Sequence, residues 1–360
     1  MTKITTFPFL LALSFVLVSC NLQDHPIPSE PDVYIAGNSA KDGIYSAKYW
    51  KNGKEVVLLT SSTSVEATGI AVAAGDVHVV GNFRGAGIYW KNGLEVAFEN
   101  NRAPHILFDV KTEGPDVYLT GAALVPGDTA SHSHAAYWKN GIPVLLEGGI
   151  GGEAWGIDVS GNDVYVAGNV PQGGYLAARY WKNGTPITLS DGTSTTLATS
   201  IAVSGNDVHV VGIEYIRPDP YSPSFTKAKY WKNGVEIPLD GWDKGSQATS
   251  VYVSGNEVMI AGNSDNGKAA YWKNGVSVEI SGSAAASDLT IHNNVAYIAG
   301  NTISNLATTC CGGLYRPGSL SVGTANGGGG TAVYWRDGKQ SDLSDGKISN
   351  VSSSIFVSQP

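Results

Sequence analysis

Cysteine is nearly absent from this chain: three residues in 360, at positions 20, 310 and 311, too few for a disulfide framework. Charge is also scarce. Charged residues make up 15% of the sequence, with a net charge of −8 and no Lys/Arg block, which argues against nucleic acid as a partner. The N-terminal apolar stretch, Phe7 to Val18, is interrupted by Pro8 and Ser14 and is too short for a membrane-spanning helix of about 20 residues. Glycine, by contrast, is abundant, at 45 residues against a usual share of ~7%. That much glycine disfavours long helices and fits a turn-rich β protein. The length leaves ample material for a large core.

Met1-Thr2-Lys3 followed by Phe7–Val18 has the form of a signal-peptide start and apolar core. The stretch ends in Leu17-Val18-Ser19-Cys20, which resembles the lipobox of bacterial lipoproteins. The resemblance implies a signal peptide over 1–19, acylation of Cys20 and a membrane tether. Asn21 follows the cysteine, so the inner-membrane retention signal of an aspartate there is absent, and the outer membrane is the expected location. Residues 20–31, with three prolines and no periodicity, read as a flexible stalk.

From residue 32 onward the chain is a repeat. Tyr-Trp-Lys-Asn-Gly begins at Tyr49, Tyr89, Tyr137, Tyr180, Tyr230 and Tyr271, and Tyr-Trp-Arg-Asp-Gly at Tyr334. Upstream of each lies a β-branched segment such as DVYIAGN from Asp32, DVHVVGN from Asp76 or VAYIAGN from Val295. Each unit predicts four short strands. Strand a is Ile-x-Val, as at Ile201–Val203; strand b is the DVxVxG segment; strand c ends in Tyr-Trp; strand d follows an Asn-Gly turn, as at Val235–Leu239. Four strands in each of seven units predict an all-β, seven-bladed β-propeller over 32–360. The Tyr-Trp pairs are expected to pack between adjacent blades.

The first unit lacks strand a, whereas Ser354–Ser358 matches strand a with no strand b after it. The C-terminal strand is therefore expected to complete the first blade, closing the ring and removing free edges. Over Asp32 to Pro360 the chain resembles bacterial envelope lipoproteins carrying YWKNG-type repeats. That resemblance implies fold and compartment and brings no defined activity.

In a propeller the a–b and c–d turns share one face, and the b–c and d–a connections share the other. Here the second face varies, with its longest b–c loops at 122–134, 213–227 and 301–331, and rigid scaffolds present binding residues on such loops. Candidate ligand-binding residues are Tyr215, Arg217, Tyr221 and Phe225 in the second loop, with Trp155 and Trp242, the two tryptophans outside the repeat motif. Aligned copies put Trp155 in a ring with Thr68, Ile106, Thr199, Thr249, Ser287 and Ser353, at the mouth of the central channel. It would serve there as a stacking platform or as packing.

Asp109 and Asp158 align as equivalent positions of adjacent blades. Paired carboxylates of this kind hold a cation or share acid/base work, and simple solvation is the alternative. His105 is a further catalytic candidate. His132 and His134 form an H-x-H with no identifiable third metal ligand. Cys310-Cys311 forms a vicinal disulfide or remains two thiols; the residues alone do not choose. The Asn residues after strand b and the Asp residues opening it are read as satisfying turn backbone groups.

The expectation is a monomeric envelope binding module for a glycan or protein, with no cofactor beyond an optional structural cation in the channel. A carbohydrate-active enzyme on the same face and a structural subunit of an envelope complex are the alternatives.

Overall fold

The computed structural model describes residues 30–98, 104–124, 133–218, 223–280, 284–302, 330–343 and 349–359. Among them are 28 strands and no helix. The first blade contains β1 (Asp32–Lys41), β2 (Ile44–Lys51) and β3 (Lys54–Ser61). Blade 2 is β4 (Val65–Ala73), β5 (Asp76–Phe83), β6 (Ala86–Lys91) and β7 (Leu94–Glu95). Blade 3 is β8 (Ile106–Glu113), β9 (Asp116–Leu124), β10 (Ser133–Lys139) and β11 (Ile142–Ile150). Blade 4 is β12 (Glu153–Ser160), β13 (Asp163–Gln172), β14 (Tyr175–Lys182) and β15 (Thr185–Thr188). Blade 5 is β16 (Thr195–Ser204), β17 (Asp207–Ile216), β18 (Phe225–Lys232) and β19 (Val235–Glu236). Blade 6 is β20 (Gln247–Ser254), β21 (Glu257–Asn263), β22 (Ala269–Lys273) and β23 (Val276–Glu279). Blade 7 is β24 (Ala284–His292), β25 (Val295–Thr302), β26 (Ala332–Arg336) and β27 (Lys339–Asp342). The last strand, β28 (Ser349–Ser358), pairs antiparallel with β1 from Asp32↔Ser358 to Ala40↔Ser349.

The sheets are therefore seven antiparallel four-stranded blades, and the first has the order β28-β1-β2-β3. This is the seven-bladed propeller, closed by the C-terminal strand. Strand d is shorter than its sequence suggested in blade 5, where β19 stops at Glu236 and Pro238 follows. Proline lacks the N–H that would continue the ladder.

Two repeated sequence features explain the blade. The Asn-Gly pair after Tyr-Trp-Lys takes positive φ at both residues, as at Asn52 (51°) and Gly53 (77°), the geometry of a type I′ hairpin. The glycine of strand b faces a β-bulge that recurs in every strand a. A Cβ on Gly81 or Gly121 would stand 1.8 Å from the carbonyl oxygen of Glu66 or Ile106, so only glycine fits there.

Alternation along strand c then builds the core between blades. Each repeat tryptophan packs on the preceding blade: Trp181 of blade 4 meets Tyr118, Ala135 and Leu146 of blade 3. Each preceding tyrosine turns the other way, as Tyr180 does toward Ile201 and Val210 of blade 5. All seven repeat tryptophans are fully buried. They are the mortar of the ring.

The asparagines after strand b act between blades and not in turns. Asn82 accepts from Leu107 N and donates to Leu107 O, both at 2.8 Å, and Asn38, Asn169, Asn263 and Asn301 accept from the next blade in the same way. The acidic residues opening strand b do serve the hairpins. Asp76 accepts from Asn92 and pairs with Lys91 at 2.7 Å, and that clasp recurs at Asp32, Asp116, Asp163 and Asp207. Lysine and asparagine donors hold these carboxyls below their ordinary range.

Candidate functional site

The central channel is lined by the bulge residues of the innermost strands and their neighbours. In register these bulge residues are Thr68, Phe108, Trp155, Thr199, Thr249, Ser287 and Ser353. Phe108 thus replaces Ile106 in the ring expected from sequence, because the sequence alignment ran two residues out of step with the a–b turns in blade 3. Most of the hydroxyls are structural. Thr199 Oγ1 reaches Val211 O of its own blade and Ala248 O of the next (3.1 and 2.9 Å), and Thr68, Thr249 and Ser287 bridge blades likewise.

Blades 3 and 4 depart from this pattern. Phe108 and Trp155 pack against each other with ring centroids 5.7 Å apart, and Thr120 Oγ1 of blade 3 makes the inter-blade bond to Trp155 O instead, at 3.4 Å. Trp155 is only 6% exposed; its Nε1 donates to Glu153 at 3.0 Å. It forms a small cluster with Phe108 and Leu197, against which Tyr215 and Ile106 pack. A ring so covered at the channel mouth offers no open stacking face. Packing is the role its surroundings support.

Asp109 and Asp158 do not occupy equivalent positions, which corrects the sequence alignment. Asp109 pairs with Thr120 and Asp158 with Tyr165, so Asp109 belongs with Gly156 and Asp158 with Lys111. The shared Asp-Val dipeptide misled the alignment by two residues. The true partner of Asp109 at its level is Asp288 of blade 7, beside Ser200, Ser250 and Ser354. Sequence reasoning missed Asp288, Lys111 and Phe108. Counting back from the a–b turn, rather than matching dipeptides, would have found them.

Each of these carboxylates grips a neighbouring blade. Asp109 accepts from Val110 N (2.7 Å) and from Ile157 N of blade 4 (3.3 Å). Asp158 accepts from Val159 N and, at 2.8 Å, from Val203 N of blade 5, and it pairs with Lys111 at 2.8 Å. Asp288 accepts from Ser250 Oγ, Leu289 N, Ser354 Oγ and Ile355 N. Burial, reinforced by the charge of Asp288, pushes the Asp109 carboxyl up to about 7, against the pull of its two amide donors. Burial also raises Asp288. The cavity between them has a volume of about 70 Å³, room for roughly five waters and too small for a sugar ring. No group of three or more potential metal ligands occurs among the described residues.

The remaining sequence candidates lie on the face of the b–c and d–a connections. Blade 5 brings three of them together. Arg217 is exposed just beyond β17, whose Ile216 pairs with Phe225. The following d–a segment folds along β18: Gly245 N donates to Thr226 O (2.7 Å), Lys227 pairs with Asp243, and Lys244 Nζ lies 5.3 Å from the Phe225 ring centre. Trp242 is half-buried in that segment, its ring edge-on to Trp272 at 5.5 Å. Tyr215 points to the other side of the sheet, toward Trp155. His105 is exposed and engages through its backbone N–H to Ala122 O. His134 Nε2 lies 2.9 Å from Leu146 O, which uses that nitrogen within blade 3. Cys20, Tyr221, His132, Cys310, Cys311 and most of loop 301–331 lie outside the described residues.

No family model matches this chain and no curated protein matches it. Solved structures of similar shape include a putative TolB from Agrobacterium tumefaciens, with 9% identity, a TM-score of 0.42, and coverage of 91% of this chain and 98% of that one. The acylaminoacyl peptidase of Pyrococcus horikoshii gives 12% identity and a TM-score of 0.45 over 88% of this chain and 52% of that one. AztD from Citrobacter koseri gives 10% identity and a TM-score of 0.37 over 91% and 99%. Likenesses this distant carry no argument about activity, ligand or location. The propeller assignment rests on the sheets themselves.

Proposed function

We propose that this chain is an envelope lipoprotein, tethered through Cys20, whose propeller is a non-catalytic binding module for a glycan or protein. The ligand meets the face of the b–c and d–a connections, with the blade 5 patch of Arg217, Phe225, Trp242 and Lys244 as its first contact. The observation that carries this reading is the use of the channel carboxylates. Asp109, Asp158 and Asp288 are all spent on holding the next blade, and the cavity between Asp109 and Asp288 is sized for water. An acid/base pair needs a carboxyl free to approach substrate, and these are committed to backbone amides. Variation in loop length meanwhile falls on one face of an otherwise regular ring.

A thermal-shift screen of the chain from residue 21 onward tests this reading, against glycans, peptidoglycan fragments and divalent cations. A native-state ligand raises the melting temperature. A shift abolished by the double variant Arg217→Ala, Phe225→Ala supports the blade 5 patch. A shift that survives that variant and is lost in Asp109→Asn moves the site into the channel and overturns the proposal. A flat response to every glycan assigns the face to a protein partner, sought by cross-linking in intact envelopes.

A further inference from the structure

The face of the a–b and c–d turns carries a feature that the blade does not need. At the residue following each c–d turn, directly across the ladder from the repeat lysine, four blades place an apolar side chain in solvent. Leu94 is 74% exposed, Ile142 57%, Val235 64% and Val276 59%. Their cross-strand partners are Lys91, Lys139, Lys232 and Lys273. The other three blades have Lys54, Thr185 and Lys339 at this position, so the fold accepts polar residues there without difficulty. The apolar tips occupy blades 2 and 3 and blades 5 and 6, two pairs of neighbours on one rim.

The chain enters the ring at this same face. Asp32, the first residue of β1, is held by Lys51 and Asn52 of the blade 1 hairpin. Two residues earlier, Glu30 pairs with Arg336 beside the blade 7 hairpin. The segment between Cys20 and Glu30 comprises residues 21–29, which reach about 30 Å at full extension. An acyl chain on Cys20 would therefore keep the entry face within about 30 Å of the bilayer.

We infer that the a–b/c–d face rests on the surface of a phospholipid bilayer, with the four apolar tips in the headgroup region and the variable face turned away. This inference rests on the lipid anchor at Cys20 in the function proposed above. Lysine beside an exposed aliphatic residue suits an interface, since its methylene stem lies along apolar surface while the ammonium stays wet. The charge arrangement further specifies the contact. The six lysines of the repeat motif on this face are already paired with Asp or Glu, and the further Lys54 and Lys339 stand on blades 1 and 7, apart from the apolar tips, so the face is not a basic patch. Docking should accordingly be indifferent to anionic lipid and to salt, unlike polybasic binding.

The test uses the full lipidated chain in vesicles of phosphatidylethanolamine and phosphatidylglycerol, with Cys310 and Cys311 replaced by serine. Single reporters are attached at Leu94→Cys, at Val235→Cys, and at Tyr175→Cys on the opposite face, where Tyr175 is 49% exposed. These are surface sites, so folding is checked by the unchanged melting temperature of each variant. Spin-labelled lipid should quench the reporters at 94 and 235 several-fold more than the one at 175, equally at low and high salt. Vesicle-bound protein with no difference among the three reporters would overturn docking and leave the anchor standing. Stronger quenching at 175 would overturn it by reversing the orientation. Protein that fails to float with vesicles removes the anchor, and the docking inference falls with it.

Discussion

Ile355 donates its backbone N–H to Asp288 Oδ2 at 3.0 Å, across 67 positions of sequence. The bond joins blade 7 to the C-terminal strand, which belongs to the first blade. Ser354 Oγ reaches the same carboxylate oxygen at 2.8 Å, and Asn301 and Ser287 of blade 7 both engage the Ser352 peptide. Blade 7 thus grips the C-terminal strand from the side while β1 holds it along its length. Ring closure is made twice.

Removing Asn350–Pro360 deletes both grips at once. The expected outcome is a sharp fall in melting temperature or aggregation through the exposed edge of β1, read by differential scanning fluorimetry and light scattering. An unchanged melting curve would contradict closure by β28.

Asp288→Ala isolates the lateral grip. It leaves two hydroxyls and two amides short of an acceptor, and each buried donor left unsatisfied costs about 1–3 kcal/mol. Chemical denaturation should report that loss, with Asp288→Asn intermediate because its amide oxygen still accepts.

Asp109 is the opposite case. Its folded carboxyl titrates at about 7 and its ordinary value is 3.8, so the folded state binds the proton more tightly than the unfolded chain. Stability from this group is full below about pH 4 and is lost as pH rises toward 7. Asp109→Asn should therefore flatten the fall in melting temperature between pH 5 and pH 8. Parallel pH profiles for the two proteins would refute a buried, proton-holding Asp109.

Trp155→Ala separates packing from recognition. If Trp155 is core, the variant loses about 3–5 kcal/mol, the usual cost of truncating a buried aromatic, and retains ligand-induced thermal shifts. Trp242→Ala, half-buried at the blade 5 patch, should cost less stability and more binding. A Trp155→Ala protein of native stability would reverse the assignment.

Much of the architecture was legible because it is written seven times. Tyr-Trp-Lys-Asn-Gly marks the c–d hairpin wherever it occurs, since positive φ at two successive positions restricts the turn chemically. The unpaired strand b at Asp32 and the orphan strand a at Ser354–Ser358 predicted closure by the same local logic. The site was read less well. Asp109 and Asp158 looked equivalent through a shared dipeptide, whereas the register counted from the a–b turns sets them two residues apart. The blade 5 patch was partly visible, through Arg217, Phe225 and Trp242, but Lys244 gave no signal because an isolated lysine in a loop has none.

Sequence by itself determined the strand count, the hairpins, the inter-blade tryptophans and the closing strand, because these depend on local dihedral preference and on alternation along a strand. Tertiary structure alone decided that the asparagines bond between blades, that the channel carboxylates each grip a neighbouring blade, and that Trp155 is covered. Those properties depend on how one blade meets the next. Contacts between blades leave no periodicity within a blade from which they could be read.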